Sequence, residues 1–340
     1  NDLPWRQRAQ VEHVAVTAGG ELDLNDLEQK LKQYGRRVRL ISITGASNVT
    51  GFVNPIHRIA RMAHEHGAQF MVDAAQLAPH RAISMAQPDS AESIDFLVLS
   101  GHKMYAPYGA GVLFAPIAFL NQVQPDRWGG GAVRMVSPDQ VWLADAPDRV
   151  EPGSPNTVGI IALAKAASVL MQVGMENLDL HERELTAYAL KQLHEMPQVR
   201  VYGSADPGRT HDRLGVITFT VDDMHHALVA GMLAAKGIGV RSGCFCAHPY
   251  VIAMLGVSEA EFARYQQAVL AGDKRHIPGM VRISFGCYNT KADVDRFMTV
   301  LRMIVHAGLD ENEFYQVEKT GEYWHPDYQP DYGGYFRIED

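Results

Sequence analysis

Lys103 stands in Ser100-Gly101-His102-Lys103, directly after the apolar run Asp95–Leu99. A loop lysine is ordinarily a solvated side chain. Here a hydroxyl and an imidazole that could hold a phosphate sit beside it. A lysine that forms a Schiff base with pyridoxal phosphate needs those groups, and an acid for the pyridine nitrogen. Asp73 supplies the acid, at the end of the run Gln69–Val72, and Gln76 follows three residues on. An aspartate at a strand end commonly does no more than cap the next helix. Together with Gly-His-Lys at a nearby strand end it is far more specific.

A second cluster is Arg241-Ser-Gly-Cys244-Phe-Cys246-Ala-His248-Pro. Two cysteines and one histidine suggest zinc, but Cys-x-Cys with a single His lacks a fourth ligand, so no metal site is expected. Cys244 reads as a buried, inert thiol, and so does Cys287 in the turn before Tyr288. For Cys246 a catalytic and a structural role stand open. Arg282 lies in an otherwise apolar run, which is unusual for an exposed strand arginine.

The elements that must carry these residues follow from periodicity. Val38–Thr44 reads as a strand buried on both faces. Asn54-Pro55 opens a helix with Asn54 as N-cap and Ile56, Ile59, Ala60 and Ala63 as its apolar stripe, stopped at Gly67. Strands at 69–72, 95–99 and 110–114 complete an α/β pattern with a largely parallel sheet. In such sheets ligands sit beyond the carboxyl ends of the strands, where Asn48, Asp73, Gln76, Ser100, His102 and Lys103 fall. Residues 115–156 read as irregular. Helices follow at 157–173 and 176–194, then strands at 198–202 and 214–220, a helix at 225–236, and strands at 238–241 and 280–285. A last helix spans 291–306, capped by Thr290 with Asp293, with Val294, Phe297, Met298, Leu301 and Val305 on one face. The expected domains are 1–173, 174–307 (α+β), and an irregular aromatic and acidic tail, 308–340, packed on a surface.

The 340 residues are 46% hydrophobic and 21% charged, with a net charge of −8. That balance excludes a mainly disordered chain and argues against nucleic-acid or polybasic membrane binding. The apolar stretch Val158–Met175 carries Lys165, Gln172 and two glycines, and reads as a buried helix rather than a membrane span. Three cysteines do not make a disulfide framework. With no signal peptide in view, a reducing, cytoplasmic setting is expected.

Five motifs occur here in the order seen in class V aminotransferases: Ala46-Ser-Asn-Val-Thr-Gly51, Val72-Asp-Ala-Ala-Gln76, Ser100-Gly-His-Lys103, Gly153-Ser-Pro-Asn156 and Val281-Arg-Ile-Ser-Phe-Gly-Cys-Tyr-Asn-Thr290. The chain resembles that family over about residues 1–307, and most of all its cysteine desulfurase and selenocysteine lyase branch. The resemblance implies an aspartate-aminotransferase-type fold (fold type I): a mainly parallel sheet in the large domain, an α+β C-terminal domain, and a homodimer with shared sites. It implies Lys103 as the cofactor-bearing lysine, Asp73 at the pyridinium nitrogen, Gln76 at the phenolate oxygen, and Asn48 near that oxygen or the substrate carboxylate. Ser100 and His102 would hold the phosphate, and Ser154 would reach the partner subunit's phosphate. Arg282 would grip the substrate α-carboxylate as a bidentate fork. Cys246 aligns with the persulfide-forming cysteine, with Arg241 nearby to favour its ionised form.

The implied reaction is cleavage of the Cβ–S bond of cysteine or a relative, with a possible sulfur-acceptor protein as partner. The alternatives are a class V aminotransferase, epimerase or lyase without persulfide chemistry, and a non-catalytic scaffold. The sequence departs from the family pattern in three places, one of them the aromatic tail from 308. Residues 1–35 hold no counterpart of the family's phosphate-binding Gly/Thr turn or of the residue, often His, that stacks on the pyridine ring; weakened phosphate binding is the expectation. The stretch 247–281 is longer than usual, with an amphipathic helix at 258–271 opened by a Ser258/Glu261 capping box, a charged loop at 273–276, and an expected role in covering the site entrance.

Overall fold

The computed structural model describes residues 1–86, 90–307 and 315–327. Their contacts divide the chain into two units. One comprises residues 1–15, 22–47 and 53–180; the other joins 16–21 and 48–52 to the chain from 181 onward.

In the first unit, α1 (Leu3–Arg6) and α2 (Leu24–Tyr34) precede β1 (Leu40–Thr44), α3 (Ile56–Glu65), β2 (Gln69–Asp73), β3 (Phe96–Ser100) and β4 (Gly111–Phe114). The sheet order is β1-β2-β3-β4; β1, β2 and β3 run parallel and β4 antiparallel to β3. Parallel strands need a crossover on a sheet face, and α3 supplies the one between β1 and β2. The expected stripe Ile56, Ile59, Ala60 and Ala63 is buried in full. Asn54 is not its N-cap, however. The helix begins after Pro55 without a side-chain cap, and the Asn54 amide donates instead to the Thr44 carbonyl (2.8 Å), tying the helix entry to the end of β1. Nor is β1 buried on both faces: it lies at a sheet edge, with Ile41 and Ile43 buried and the alternate residues half-exposed.

Residues 115–156 are more regular than expected. They form α4 (Ile117–Gln122) and an antiparallel hairpin of β5 (Val133–Val136) and β6 (Val141–Leu143). Helix α5 (Thr157–Val173) follows; the Asn156 side chain caps it by accepting the Gly159 N–H at 3.1 Å. The reading of this stretch as a buried helix is corrected. Only Gly159, Leu163 and Leu170 are buried, and Val158, Ile160, Ile161, Val169, Met171 and Val173 are exposed. A helix apolar all round reads as buried, but here one face alone packs within the chain.

Helix α6 (Met175–His194) carries the chain into the second unit. There β7 (Val199–Tyr202), β8 (Val216–Val221), α7 (His226–Ala235), β9 (Arg241–Gly243), α8 (His248–Leu255), α9 (Glu259–Leu270), β10 (Met280–Ser284) and α10 (Lys291–Ala307) follow. The sheet is antiparallel in order β7-β8-β10-β9. Its core gathers Leu185, Leu190 and Leu193 of α6, Ile217 and Phe219 of β8, Met232 and Leu233 of α7, and Phe297, Met298 and Leu301 of α10. The expected strand at 238–241 is displaced to 241–243, because Arg241, Ser242 and Gly243 pair with Arg282, Val281 and Met280. The Ser258/Glu261 capping box of α9 is present in both directions. The part of the tail that is described forms a short hairpin, β11 (Gln316–Val317) with β12 (Tyr323–Trp324), rather than irregular chain. Its remainder, 308–314 and 328–340, lies outside the described residues. Among the described residues no single helix is long and apolar enough to cross a membrane.

Candidate active site

Each unit carries one cluster of the expected side chains. In the first unit the parallel register pairs Asp73 of β2 with Val98 of β3. This sets the Asp73 carboxylate and the turn after Ser100 at the same carboxyl edge of the sheet. Asp73 Oδ1 accepts the Ala75 N–H at 3.0 Å, which fixes the carboxylate at the strand end. Gln76 follows, half-exposed. Gly101–Met104 form one 3-10 turn in which Gly101 and Met104 are buried while His102 and Lys103 are exposed. Gly101 has no room for a side chain: a Cβ there would come within 2.7 Å of the Ala110 carbonyl oxygen. The chain therefore turns tightly against β4 and lifts the next two side chains outward. Ser100 Oγ lies 2.8 Å from His102 Nδ1, so hydroxyl and imidazole act as one polar pair.

Asn156, the last residue of the Gly153–Asn156 motif, has a role that the resemblance does not imply. Its side chain donates to the Tyr108 carbonyl at 2.5 Å while capping α5. It thus ties the helix to the loop that leaves Lys103. The N-cap rule could have found half of this, since Asn directly precedes the apolar helix. Ser154, two residues earlier, is exposed.

In the second unit Arg282 of β10 is half-buried. Its Nη1 donates to the Asn48 carbonyl at 2.8 Å, and its guanidinium lies 5.2 Å over the Phe245 ring. Asn48 Nδ2 donates in turn to the Phe245 carbonyl at 2.7 Å. The Arg282 Nε is buried and has no hydrogen-bond partner among the described residues. Burial pushes the Arg282 pKa down first, and Arg241, its neighbour in register on β9, adds to that; the Cys246 sulfur pulls the other way. The cluster is an arginine with Nη1 anchored and a buried Nε that no described residue satisfies. A carboxylate is the group that fits such a donor.

Cys246 is exposed, and it follows Phe245 with both residues in the left-handed region, at φ 61° and 51°. Left-handed backbone is costly for residues with side chains. It is held here because Phe245 and Cys244 are buried against Val49, Tyr202, Val251 and Met280. The turn pushes the Cys246 side chain out. No shielding by the 251–280 stretch is seen in the residue's exposure. Cys244 is buried as expected, donates from Sγ to the Pro278 carbonyl at 3.2 Å, and has its pKa raised by burial. Cys287 departs from expectation. It is exposed, because the Gly286 N–H bonds the Asn289 side chain at 2.7 Å and folds a turn that carries the thiol outside the strand. Among the described residues no group of three or more His, Cys, Asp and Glu is placed to hold a metal ion.

Lysine and acid at one edge of a mainly parallel sheet, followed by an α+β unit, are the arrangement of fold type I pyridoxal-phosphate enzymes. The chain belongs to the class V aminotransferase family, whose model ("Aminotransferase class-V") matches residues 1–297. It is 36% identical over 311 residues to a cysteine desulfurase of Yersinia pseudotuberculosis, covering 89% of this chain and 68% of that one. It is 34% identical over 301 residues to a probable cysteine desulfurase of Halalkalibacterium halodurans, covering 87% and 66%. Among solved structures, a cysteine desulfurase from Thermococcus onnurineus, in its apo form, superposes with a TM-score of 0.77 at 30% identity, covering 90% of this chain and 70% of that one. The chain therefore spans about two thirds of the length of the curated relatives it matches.

Proposed function

We propose that this protein is a pyridoxal-phosphate-dependent cysteine desulfurase that moves the sulfur of cysteine onto Cys246. The observation that carries this reading is the second unit's cluster. A half-satisfied, partly buried arginine and an exposed cysteine share one aromatic residue, Phe245, as support. The curated and structural relatives named cysteine desulfurase support it.

The donor set of the first unit fits the cofactor: Lys103 would carry it, Asp73 would face the pyridinium nitrogen, Gln76 would serve the phenolate side, and Ser100 and His102 would hold the phosphate, with Ser154 reaching the phosphate of a second subunit. Asn48, which the second unit carries, would serve the phenolate oxygen or the substrate carboxylate. When bound, pyridoxal phosphate supplies an electron sink for the pair released at Cα. Arg282, with Arg241 beside it, binds and orients the substrate carboxylate. Lys103 Nζ takes the Cα proton. The Cys246 thiolate attacks the substrate sulfur; the new S–S bond forms as the Cβ–S bond breaks with its electron pair left on carbon. Cysteine and the Cys246 thiol thus become alanine and a Cys246 persulfide, and a sulfur-acceptor protein or small thiol then takes the outer sulfur. A homodimer is part of the reading: the uncovered apolar residues of α5, with Met135, Val136 and Trp142 of the hairpin, are the kind of surface a second copy covers. Three cysteines outside any disulfide fit work in a reducing compartment such as the cytoplasm.

The experiment is borohydride reduction of the protein mixed with pyridoxal phosphate, followed by peptide mapping and cysteine turnover. The cofactor is expected on Lys103, and Cys246→Ala is expected to abolish sulfide release while cofactor attachment persists. A reduced adduct on Lys165 would overturn the lysine assignment. Unchanged sulfide release in Cys246→Ala would move the protein to the aminotransferase, epimerase or lyase chemistries. No adduct on any lysine would leave only the scaffold reading.

A further inference from the structure

Behind the Cys246 turn runs the segment Ile277-Pro278-Gly279, and two histidines grip it. His225 caps α7, its Nδ1 accepting the Ala227 N–H at 3.4 Å. His226 is the next residue, with its ring centroid 4.2 Å from that of His225. Their Nε2 atoms lie 3.2 Å and 3.0 Å from one acceptor, the Ile277 carbonyl oxygen. A carbonyl only accepts, so both imidazoles donate to it from Nε2. One residue on, the Pro278 carbonyl accepts from Cys244 Sγ. One further, a Cβ on Gly279 would come within 2.6 Å of His226 Nε2 and 2.7 Å of the Gly243 Cα. His226, the glycine and the strand before the cysteine turn are therefore in direct contact, with no space for adjustment. Ile277 also packs on the cluster that buries Cys244 and Phe245.

The same segment is strapped from outside by the hairpin of the tail. The Lys274 N–H donates to the Lys319 carbonyl at 2.8 Å, and Tyr323 lies 5.7 Å from the His225 ring. This contact also gives the charged loop and the described part of the tail a physical role, since both press the segment onto α7.

We propose that His226, backed by His225, is a positioning residue for sulfur transfer: through the Ile277 and Pro278 carbonyls it fixes Cys244, and through Cys244 the left-handed turn that presents Cys246. The inference rests on the reading of Cys246 as the sulfur-accepting nucleophile. Neither histidine touches the reacting atoms; each acts by holding backbone. The two left-handed residues are closed by one local bond, the Ala247 N–H to the Cys244 carbonyl at 2.8 Å, so the turn hangs on where Cys244 is held. Loss of one donor to a shared carbonyl loosens the segment on which Cys244 is hung.

The test uses the full chain in His226→Ala and His226→Gln forms. Cys244, Cys246 and Cys287 are alkylated with iodoacetamide and quantified by peptide mass spectrometry, and the persulfide on Cys246 is measured after incubation with cysteine. In His226→Ala, Cys244 is expected to alkylate at least tenfold faster and persulfide yield to fall about tenfold, while the rate at Cys287, outside this network, stays constant. His226→Gln, whose amide can donate to the same carbonyl, is expected to restore both. A Cys244 rate within twofold of the parent would overturn the proposal, as would equal acceleration at all three cysteines or no rescue by glutamine. Should His226→Ala not fold, His225→Ala carries the same expectations and the same refutation. If no persulfide forms even in the parent protein, the desulfurase reading fails, and the alkylation rates still decide whether the histidines hold the turn.

Discussion

Arg282→Ala separates carboxylate recognition from everything else the site does. In the structure this guanidinium has Nη1 on the Asn48 carbonyl at 2.8 Å, a face on Phe245, and a buried Nε with no partner among the described residues. A substrate carboxylate on the Nε side of the fork makes two charge-assisted hydrogen bonds, each stronger than a neutral one. Their loss is expected to cost on the order of 2–4 kcal/mol, or roughly thirty- to several-hundred-fold in kcat/KM for cysteine. The truncation also strips the Asn48 carbonyl of its donor and Phe245 of its cation, which costs about 1–3 kcal/mol of stability. The assay must hold the two effects apart. Binding of cysteine and of cysteamine, identical but for the carboxylate, is therefore followed by the absorbance of the cofactor-loaded protein, alongside urea unfolding of the same samples. Damage to the fold lowers both ligands together; loss of the fork lowers cysteine alone. Arg282→Lys keeps a charge without the planar fork and is expected to fall between parent and alanine. Equal losses for cysteine and cysteamine would refute the carboxylate role.

Two other outcomes follow from the geometry. Asn156→Ala removes a helix cap and the tie to Tyr108 at once; it is expected to lower stability by about 1–2 kcal/mol and to weaken pyridoxal phosphate binding, read by urea unfolding and by cofactor titration. For the histidine pair the sign is that of groups buried neutral. Burial pushes His226 from 6.5 down to about 4, with His225 adding to the effect, and burial lowers His225 too, with His276 contributing. The unfolded chain therefore takes up protons first. Stability is full above about pH 6.5 and falls as the pH drops towards 4, by up to about 3 kcal/mol from His226 alone. Urea midpoints across that interval check this, and His226→Gln is expected to flatten the profile.

What could be read from the chain was what depends on local pattern. The buried stripe of α3, the capping box of α9 and the apolar face of α10 each repeat at helical spacing, and such spacing needs no knowledge of partners. The errors fall where a distant partner decides. Asn54 looks like a cap, but the end of β1 competes for its amide and wins. The strand at 241–243 is set by pairing with Met280–Arg282, some forty residues on, rather than by its own composition. The β5–β6 hairpin is too exposed to show a buried alternation. The apolar stretch of α5 reads as a buried helix, but only Gly159, Leu163 and Leu170 are buried, and composition alone does not say which face the fold covers.

The same division runs through the site. Lys103, Asp73, Ser100 and His102 belong to contiguous motifs at strand ends, so their placement at one carboxyl edge of the sheet is legible from types and spacing. The cysteine turn is different, because its working parts are backbone atoms: the Asn48, Phe245, Ile277 and Pro278 carbonyls, each bonded across the fold. No residue type marks a carbonyl as functional. That also explains why Cys244 and Cys246, two residues apart in one Cys-x-Cys, end in opposite environments. A strand would put both on one face by its period of two. The left-handed pair Phe245–Cys246 breaks that period at a conformational cost of about 1–3 kcal/mol per residue, and Cys244 remains inside as the anchor that holds the turn. A substitution that fills the space at Gly279 should therefore disturb the exposed thiol, since a Cβ there would come within 2.7 Å of the Gly243 Cα and 2.6 Å of His226 Nε2, and something must shift.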